Sequence, residues 1–258
     1  MKLQGLLLDL EGVLYQDDRP IPGAAEALQS LQAEGLALRG LTNTTTRPRR
    51  AIAERLDELA IPLAAEAVFT PCMAAVLALR QRGLRRVHLA AAASLAEDFA
   101  DFELVERAPE ALVLGDLYTD FTWERLNRLF GFLRDGACLL ALHKNRVSRR
   151  GAEIALDLGP FVAALEYASG QEALVLGKPA RTFFELALAD MGLPAGAVVM
   201  VGDDIEADIG GAQAAGLRAV QVETGKFTPA DLDHPRIRPA ARVPSLAELP
   251  SALQRLES

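Results

Sequence analysis

Leu6-Leu7-Leu8-Asp9-Leu10-Glu11-Gly12 decides the fold: a short apolar run closed by a carboxylate, with Gly12 in a turn position, reads as a buried strand. Downstream, Pro20-Ile21-Pro22-Gly23 opens an alanine-rich segment with apolar residues at Ala24, Ala27, Leu28 and Leu31. Gly35 stops it, and the spacing predicts an amphipathic helix. A second apolar run, Leu36–Leu41, ends on Thr42-Asn43-Thr44, and a further helical pattern runs from about Pro48 to Leu59. The same order returns near the C-terminus, with a strand at Ala197–Val201, a helix at Ile205–Ala215 before Gly216, and a strand at Leu217–Val222. Strands alternating with helices predict an α/β fold, a doubly wound parallel sheet covered on both faces.

Between these halves lie strand patterns at Val87–Ala90, Ala111–Leu114 and Cys138–Leu142, and helix patterns at Thr122–Arg134 and Pro160–Ser169. They predict an inserted second α/β domain over residues 78–172, with residues 1–77 and 173–258 forming the core domain. A chain of 258 residues, half of them hydrophobic and 24% charged, has the composition of a folded globular protein. Its net charge of −8 repels phosphate backbones and excludes a general nucleic-acid binder. Cys72 and Cys138 match neither a disulfide scaffold nor a zinc spacing and read as small buried hydrophobes. Asp9 interrupts the N-terminal apolar stretch, so no signal peptide or anchor is expected. The longest charge-free runs, near Val87–Ala96 and Leu193–Gly202, reach about half of the ~20 residues that cross a bilayer. The expectation is a cytoplasmic protein with no membrane partner.

In an open parallel sheet, ligands bind outside the carboxyl ends of the strands. The first strand delivers Asp9 and Glu11 there, the second Thr42 and Asn43, and the Ala197–Val201 strand Asp203, Asp204 and, one turn later, Asp208. Taken singly, Asp9 also fits a turn residue, Thr42 a capping hydroxyl, and Asp203 or Asp204 a helix N-cap. Together, carboxylates gathered on one apolar rim repel each other unless a cation compensates them. Oxygen donors without clustered His or Cys favour Mg²⁺, which keeps waters and substrate phosphate in its shell. Lys178, in Gly177-Lys178-Pro179, opens the helical pattern Ala180–Met191, where a solvated surface lysine is the alternative. One ion pair at 4 Å is worth about 4 kcal/mol at an effective dielectric near 20, so a metal and Lys178 could hold phosphate on an anionic protein.

Asp9-Leu10-Glu11-Gly12-Val13-Leu14, Leu41-Thr42-Asn43, Gly177-Lys178-Pro179 and Gly202-Asp203-Asp204 followed by Asp208 resemble, in order, the four motifs of the haloacid dehalogenase superfamily. The resemblance covers nearly the whole chain. Thr-Asn in the second motif and an insertion between the second and third are similar to subclass IIA, whose cap is a C2-type α/β domain. The resemblance implies Asp9 as a nucleophile that becomes an aspartyl phosphate. It implies Thr42, the Asn43 backbone and Lys178 as ligands of the phosphoryl oxygens. Mg²⁺ would be bound by Asp9, the Glu11 main-chain carbonyl and Asp203, with Asp204 and Asp208 orienting the metal and its waters. The implied substrate is a small-molecule phosphate, and the subclass tends to assemble copies through the cap.

Glu11 departs from the pattern, because most phosphatases of the superfamily carry Asp there to protonate the leaving group. One extra methylene moves that acid by more than about 1 Å, enough to cost up to about 10²-fold if it is not recentred. A weakly active or non-catalytic phospho-ligand binder therefore stands as an alternative, and, independently of Glu11, so does a phosphotransferase or mutase using the same intermediate. A receiver domain is excluded, since receivers are about half this length and place the phosphorylated Asp on a later strand. In the insert, His143 and Lys144 read as surface or loop-capping residues that could reach substrate, and Tyr118, Phe121 and Trp123 as packing. His88 and His234 carry no motif, and Arg47, Arg49 and Arg50 read as a solvated helix start.

Overall fold

The computed structural model describes residues 2–150 and 153–257. Its chain forms two compact units, one of Met1–Thr42, Arg49–Phe69 and Lys178–Ser258, the other of Asn43–Pro48 and Thr70–Gly177. The first is built on a six-stranded sheet in the order Ala241–Val243, Arg218–Val222, Val198–Gly202, Gly5–Asp9, Ala37–Leu41, Val68–Phe69. Every adjacent pair is parallel. Gly5–Asp9 and Val198–Gly202 are buried along their whole length, as strands covered on both faces must be. Leu6, Leu8, Val199, Val201 and Val220 join Leu28, Leu31 and Leu56 in one core. On the other face Phe69, Phe183 and Phe184 pack ring to ring, tying the helix Arg181–Met191 to the sheet. Burying side chains of this size supplies about 1.5–3 kcal/mol each.

Chain order along this sheet runs outward in one direction from Gly5–Asp9 to Val68–Phe69 and in the other from Val198–Gly202 to Ala241–Val243. The reversal falls between Gly5–Asp9 and Val198–Gly202, and it opens a crevice at their carboxyl ends.

The second unit has its own parallel sheet, ordered Leu174–Val175, Cys138–Ala141, Ala111–Leu114, Arg86–Ala90, Glu103–Leu104. Leu112, Leu114, Leu129, Leu139 and Val162 form its core with the helices Trp123–Arg134 and Leu158–Ser169. A helix at Pro71–Gln81 opens it, with Pro71 in the first turn and the Thr70 hydroxyl accepting from the Met73 N–H at 3.2 Å. A hairpin, Val147–Arg150 with Glu153–Leu156, follows the fourth strand in chain order. No described helix is long and apolar enough to cross a membrane.

The segment expected to be one helix over Ile205–Ala215 is instead a π turn, Ile205–Gly210, followed by four α-helical residues, Gly211–Ala214. Local contacts explain the change. Asp204 caps the turn, and Gly211 lies so close to the Phe184 ring and Pro179 that no side chain fits there.

Candidate active site

The first-unit crevice gathers the acidic residues. Asp9 ends its strand, Asp203 and Asp204 follow the neighbouring one, and Asp208 comes from the π turn. One oxygen from each of Asp9, Asp203 and Asp208 lies within 4.8 Å of the other two, and all three residues are buried. Lys178, 5% exposed, donates through Nζ to Asp9 Oδ1 at 2.6 Å and to Asp208 Oδ1 at 2.7 Å. Asp9 Oδ1 also accepts the Leu10 N–H at 2.9 Å, which fixes the rotation of the carboxylate. Lys178 lies two residues ahead of the N-cap Ala180 rather than opening the helix. Its charge is therefore balanced by the carboxylates, not placed against the positive end of a dipole.

The backbone grips these side chains. Asp204 accepts the N–H groups of Glu206 and Ala207 at 3.1 and 2.9 Å, and Asp208 Oδ2 accepts the Asp204 N–H at 3.1 Å. Asp203 Oδ2 accepts the Lys226 N–H at 2.7 Å, and Lys226 Nζ reaches Asp204 Oδ2 at 3.3 Å. Gly12 and Gly225, at φ of +89° and +64°, flank that same Asp203 oxygen, and a Cβ on either would collide with it. The Thr224 hydroxyl donates to the Gly12 carbonyl and joins the two loops.

Three buried carboxylates against Lys178 leave two uncompensated negative charges. Burial first, and then repulsion from Asp203, raises the Asp9 carboxyl above its ordinary range despite Lys178. Burial raises Asp203 to about 6, helped by the Asp208 charge, and raises Asp208 to about 6, helped by Asp9. Burial also pushes Asp204 up, but the Ala207 N–H and Lys226 outweigh it and hold that carboxyl low. The Lys178 ammonium is raised: burial opposes the charge, and Asp208 and Asp9 overcome it. Asp203 Oδ1 is buried and accepts no hydrogen bond among the described residues, a loss that a native fold seldom leaves unused. An orphaned oxygen, an all-oxygen donor set and two surplus negative charges fit a hard divalent cation.

Thr42 is buried at the carboxyl end of Ala37–Leu41, its N–H donating to the Phe69 carbonyl at 3.2 Å. Asn43 begins the segment that belongs to the second unit. The Glu11 side chain is exposed, on a turn closed by the Gly12 N–H donating to the Tyr15 carbonyl at 2.7 Å.

The sequence pattern of the haloacid dehalogenase-like hydrolases matches residues 6–105, and a second pattern, HAD-hydrolase-like, matches 175–249. Haloacid dehalogenase-like hydrolase domain-containing protein 2 of Bos taurus is 41% identical over 92% of this chain and 90% of its own. The chain belongs to the haloacid dehalogenase-like hydrolases. Phospholysine phosphohistidine inorganic pyrophosphate phosphatase of Bos taurus is 38% identical over 95% of this chain and 92% of its own. Among solved structures, p-nitrophenyl phosphatase from Archaeoglobus fulgidus superposes with a TM-score of 0.88 at 26% identity, covering 98% of this chain and all of that one. Both of these relatives are named as phosphatases.

Sequence reasoning missed several residues of this hydrolase. Lys226 and Gly225 carry no acidic motif, but they follow the strand Arg218–Val222 and so stand at the same end of the sheet as Asp9. In the second unit His143 is not a surface residue, although it does cap its loop, its Nδ1 accepting the Asn145 N–H at 3.3 Å. It is 4% exposed, with Nε2 3.2 Å from Asp116 Oδ2 and 3.9 Å from Asp157 Oδ1. The Thr45 hydroxyl donates to the same Asp116 oxygen. Lys144 instead pairs with Glu166 at 2.6 Å. Tyr118 and Trp123, expected to pack, are 48% and 73% exposed, because the helix starting at Trp123 turns Leu129 and Leu133 inward instead. Phe121 does pack, stacked on Phe161 with ring centroids 3.7 Å apart. Cys72 is buried, whereas Cys138 is only half-buried. His88 is buried against Phe132, its Nδ1 2.8 Å from the Val105 carbonyl, and Arg50 pairs with Glu54 on the helix surface. His234 Nδ1 accepts the Ile237 N–H at 3.0 Å.

Proposed function

We propose that this hydrolase is a phosphatase acting on a phosphorylated small molecule, a phosphomonoester, pyrophosphate or phosphoamide, through an aspartyl phosphate on Asp9, with Mg²⁺ as cofactor. The observation that carries this reading is the buried meeting of Asp9, Asp203 and Asp208 around Lys178. Asp9, Asp203 and the Glu11 main-chain carbonyl would hold the ion, with Asp204 and Asp208 orienting its surroundings. Bound there, Mg²⁺ supplies positive charge that offsets phosphoryl oxygens near an acidic crevice.

The residues then divide the work. Lys178, Thr42 and the Asn43 backbone bind phosphoryl oxygens and set phosphorus in line with the Asp9 carboxylate. An Asp9 oxygen attacks, an O–P bond forms, and the bond from phosphorus to the leaving atom breaks. The leaving group takes the electron pair and a proton from Glu11. Water next attacks the same phosphorus, passing its proton to Glu11 while the bond to Asp9 breaks. Inorganic phosphate leaves and the carboxylate is restored. Two displacements on one carboxylate replace a single harder one.

The substrate is a small anion rather than a nucleic acid, given the net charge of −8. Assembly of copies through the second unit, acting as a cap, and a reducing cytoplasmic setting for the free thiols of Cys72 and Cys138 complete the reading. Phosphate release from p-nitrophenyl phosphate, pyrophosphate and a phosphoamide, with and without Mg²⁺, tests it. Asp9→Asn should reduce turnover by at least about 10³-fold. Activity in Asp9→Asn within tenfold of the parent, or turnover untouched by chelation, refutes the proposal.

A further inference from the structure

We propose that the second unit carries a pocket for an organic ammonium ion, with Asp116 and Asp157 as its acidic floor and Phe121, Phe161, Leu156 and Tyr118 as its walls. These residues line a cavity of about 190 Å³, far more space than a single metal ion fills, and most of its wall is carbon. Phe121 and Phe161 stack on each other nearly parallel, 6° apart, which makes their part of the lining a rigid apolar wall. An acidic floor under aromatic and aliphatic walls matches a cation that carries an apolar body, because the carboxylate attracts the charge and the carbon walls cover the body.

Asp157 shows that the floor is not incidental. It occupies the N-cap of the helix Leu158–Ser169, where its side chain would ordinarily accept a backbone N–H, yet it makes no capping bond. Its carboxyl group instead bonds Asp116 and lies 3.9 Å from His143 Nε2. Two carboxyl groups thus stand against the single imidazole of His143. Burial pushes the Asp116 carboxyl up, but bonds from His143, Thr45 and Asp157 outweigh it, and Asp116 remains ionised at neutral pH. The Asp116 carboxylate therefore stays in place to meet a cation.

Calorimetric titration of the full chain in Mg²⁺ buffer, with 2-phenylethylammonium and its neutral isostere 2-phenylethanol, tests the pocket. The ammonium should bind saturably, the alcohol about tenfold or more weakly, and Asp157→Asn should weaken ammonium binding by a similar factor. The comparison of the two probes on the parent chain holds even if a variant misfolds, and unchanged melting of Asp157→Asn certifies the second arm. No saturation up to about 10 mM, equal binding of the alcohol, or binding unaffected by Asp157→Asn overturns the proposal. So does one equivalent of bound Zn²⁺ that Asp157→Asn abolishes while the ammonium fails to bind.

Discussion

Replacing Lys178 by methionine keeps most of the side-chain volume and removes only the charge that stands between Asp9 and Asp208. Deleting one partner of a buried ion pair costs about 3–5 kcal/mol, and Lys178 is the partner of two, so the upper half of that range is expected at pH 8. For a chain of 258 residues, each kcal/mol lowers the melting temperature by roughly 2–4 °C, which puts the drop at roughly 8–20 °C. The sign of the pH dependence follows from the raised carboxyls. Asp203 and Asp208 titrate near about 6 when folded, above their ordinary 3.8, so protons stabilise the fold fully below pH 4. That contribution disappears as pH rises through 6. At pH 5 the variant therefore places a thioether beside a largely neutral Asp208, and its penalty should shrink to about 1 kcal/mol or less. Urea unfolding of parent and variant in chelator at pH 5 and pH 8 measures both numbers. Equal losses at the two pH values, or a loss below about 1 kcal/mol at pH 8, would show that the crevice does not depend on this charge balance.

Mg²⁺ added to the metal-free chain should raise its melting temperature at pH 7.5 but not at pH 5, where Asp203 and Asp208 hold protons that compete with the ion. At a hundred times Kd the gain is about 2.7 kcal/mol, readable by scanning fluorimetry, and Asp203→Asn should cancel it. Gly225→Ala and Gly216→Ala share the strain of a positive φ, +64° and +82°, costing about 1–2 kcal/mol each, but only the first drives a methyl into Asp203. Urea melts should therefore move for both, whereas kcat should fall about tenfold or more for Gly225→Ala alone. Glu11→Gln should lower kcat by about 10²-fold while Glu11→Asp retains it; a Gln variant as fast as the parent excludes Glu11 as the proton donor.

Most of the sheet architecture was legible because strands buried on both faces read as unbroken apolar runs, as Leu6–Leu8 and Val198–Val201 do. Val68–Phe69, Glu103–Leu104 and Leu174–Val175 were not, since two residues carry no period. The π turn escaped because Ile205, Asp208 and Ile209 have helical spacing, whereas the local Asp204 cap and the crowding of Gly211 by Phe184 and Pro179 leave no mark on that period. Asp9, Asp203, Asp204 and Asp208 were legible as strand-end carboxylates. Lys226 was not, because its decisive contact is a backbone N–H to Asp203, to which side-chain identity is irrelevant.

The two acidic clusters come from one geometric rule. In the first unit Leu8 is in register with Val201, so Asp9 and Asp203 leave adjacent parallel strands at nearly the same height. In the second Leu114 is in register with Ala141, and Asp116 and His143 each stand two residues beyond that pair. Parallel neighbours thus bring side chains far apart in sequence to one rim, and compensation then decides what each rim can bind. Lys178 leaves the first with oxygen donors alone and two surplus charges, which suits a small doubly charged ion. In the second, an imidazole and a hydroxyl share the carboxylates, and the remaining opening is walled by aromatic carbon. A compact divalent ion gains little from such walls, while a singly charged ammonium with an apolar body gains from walls and floor together.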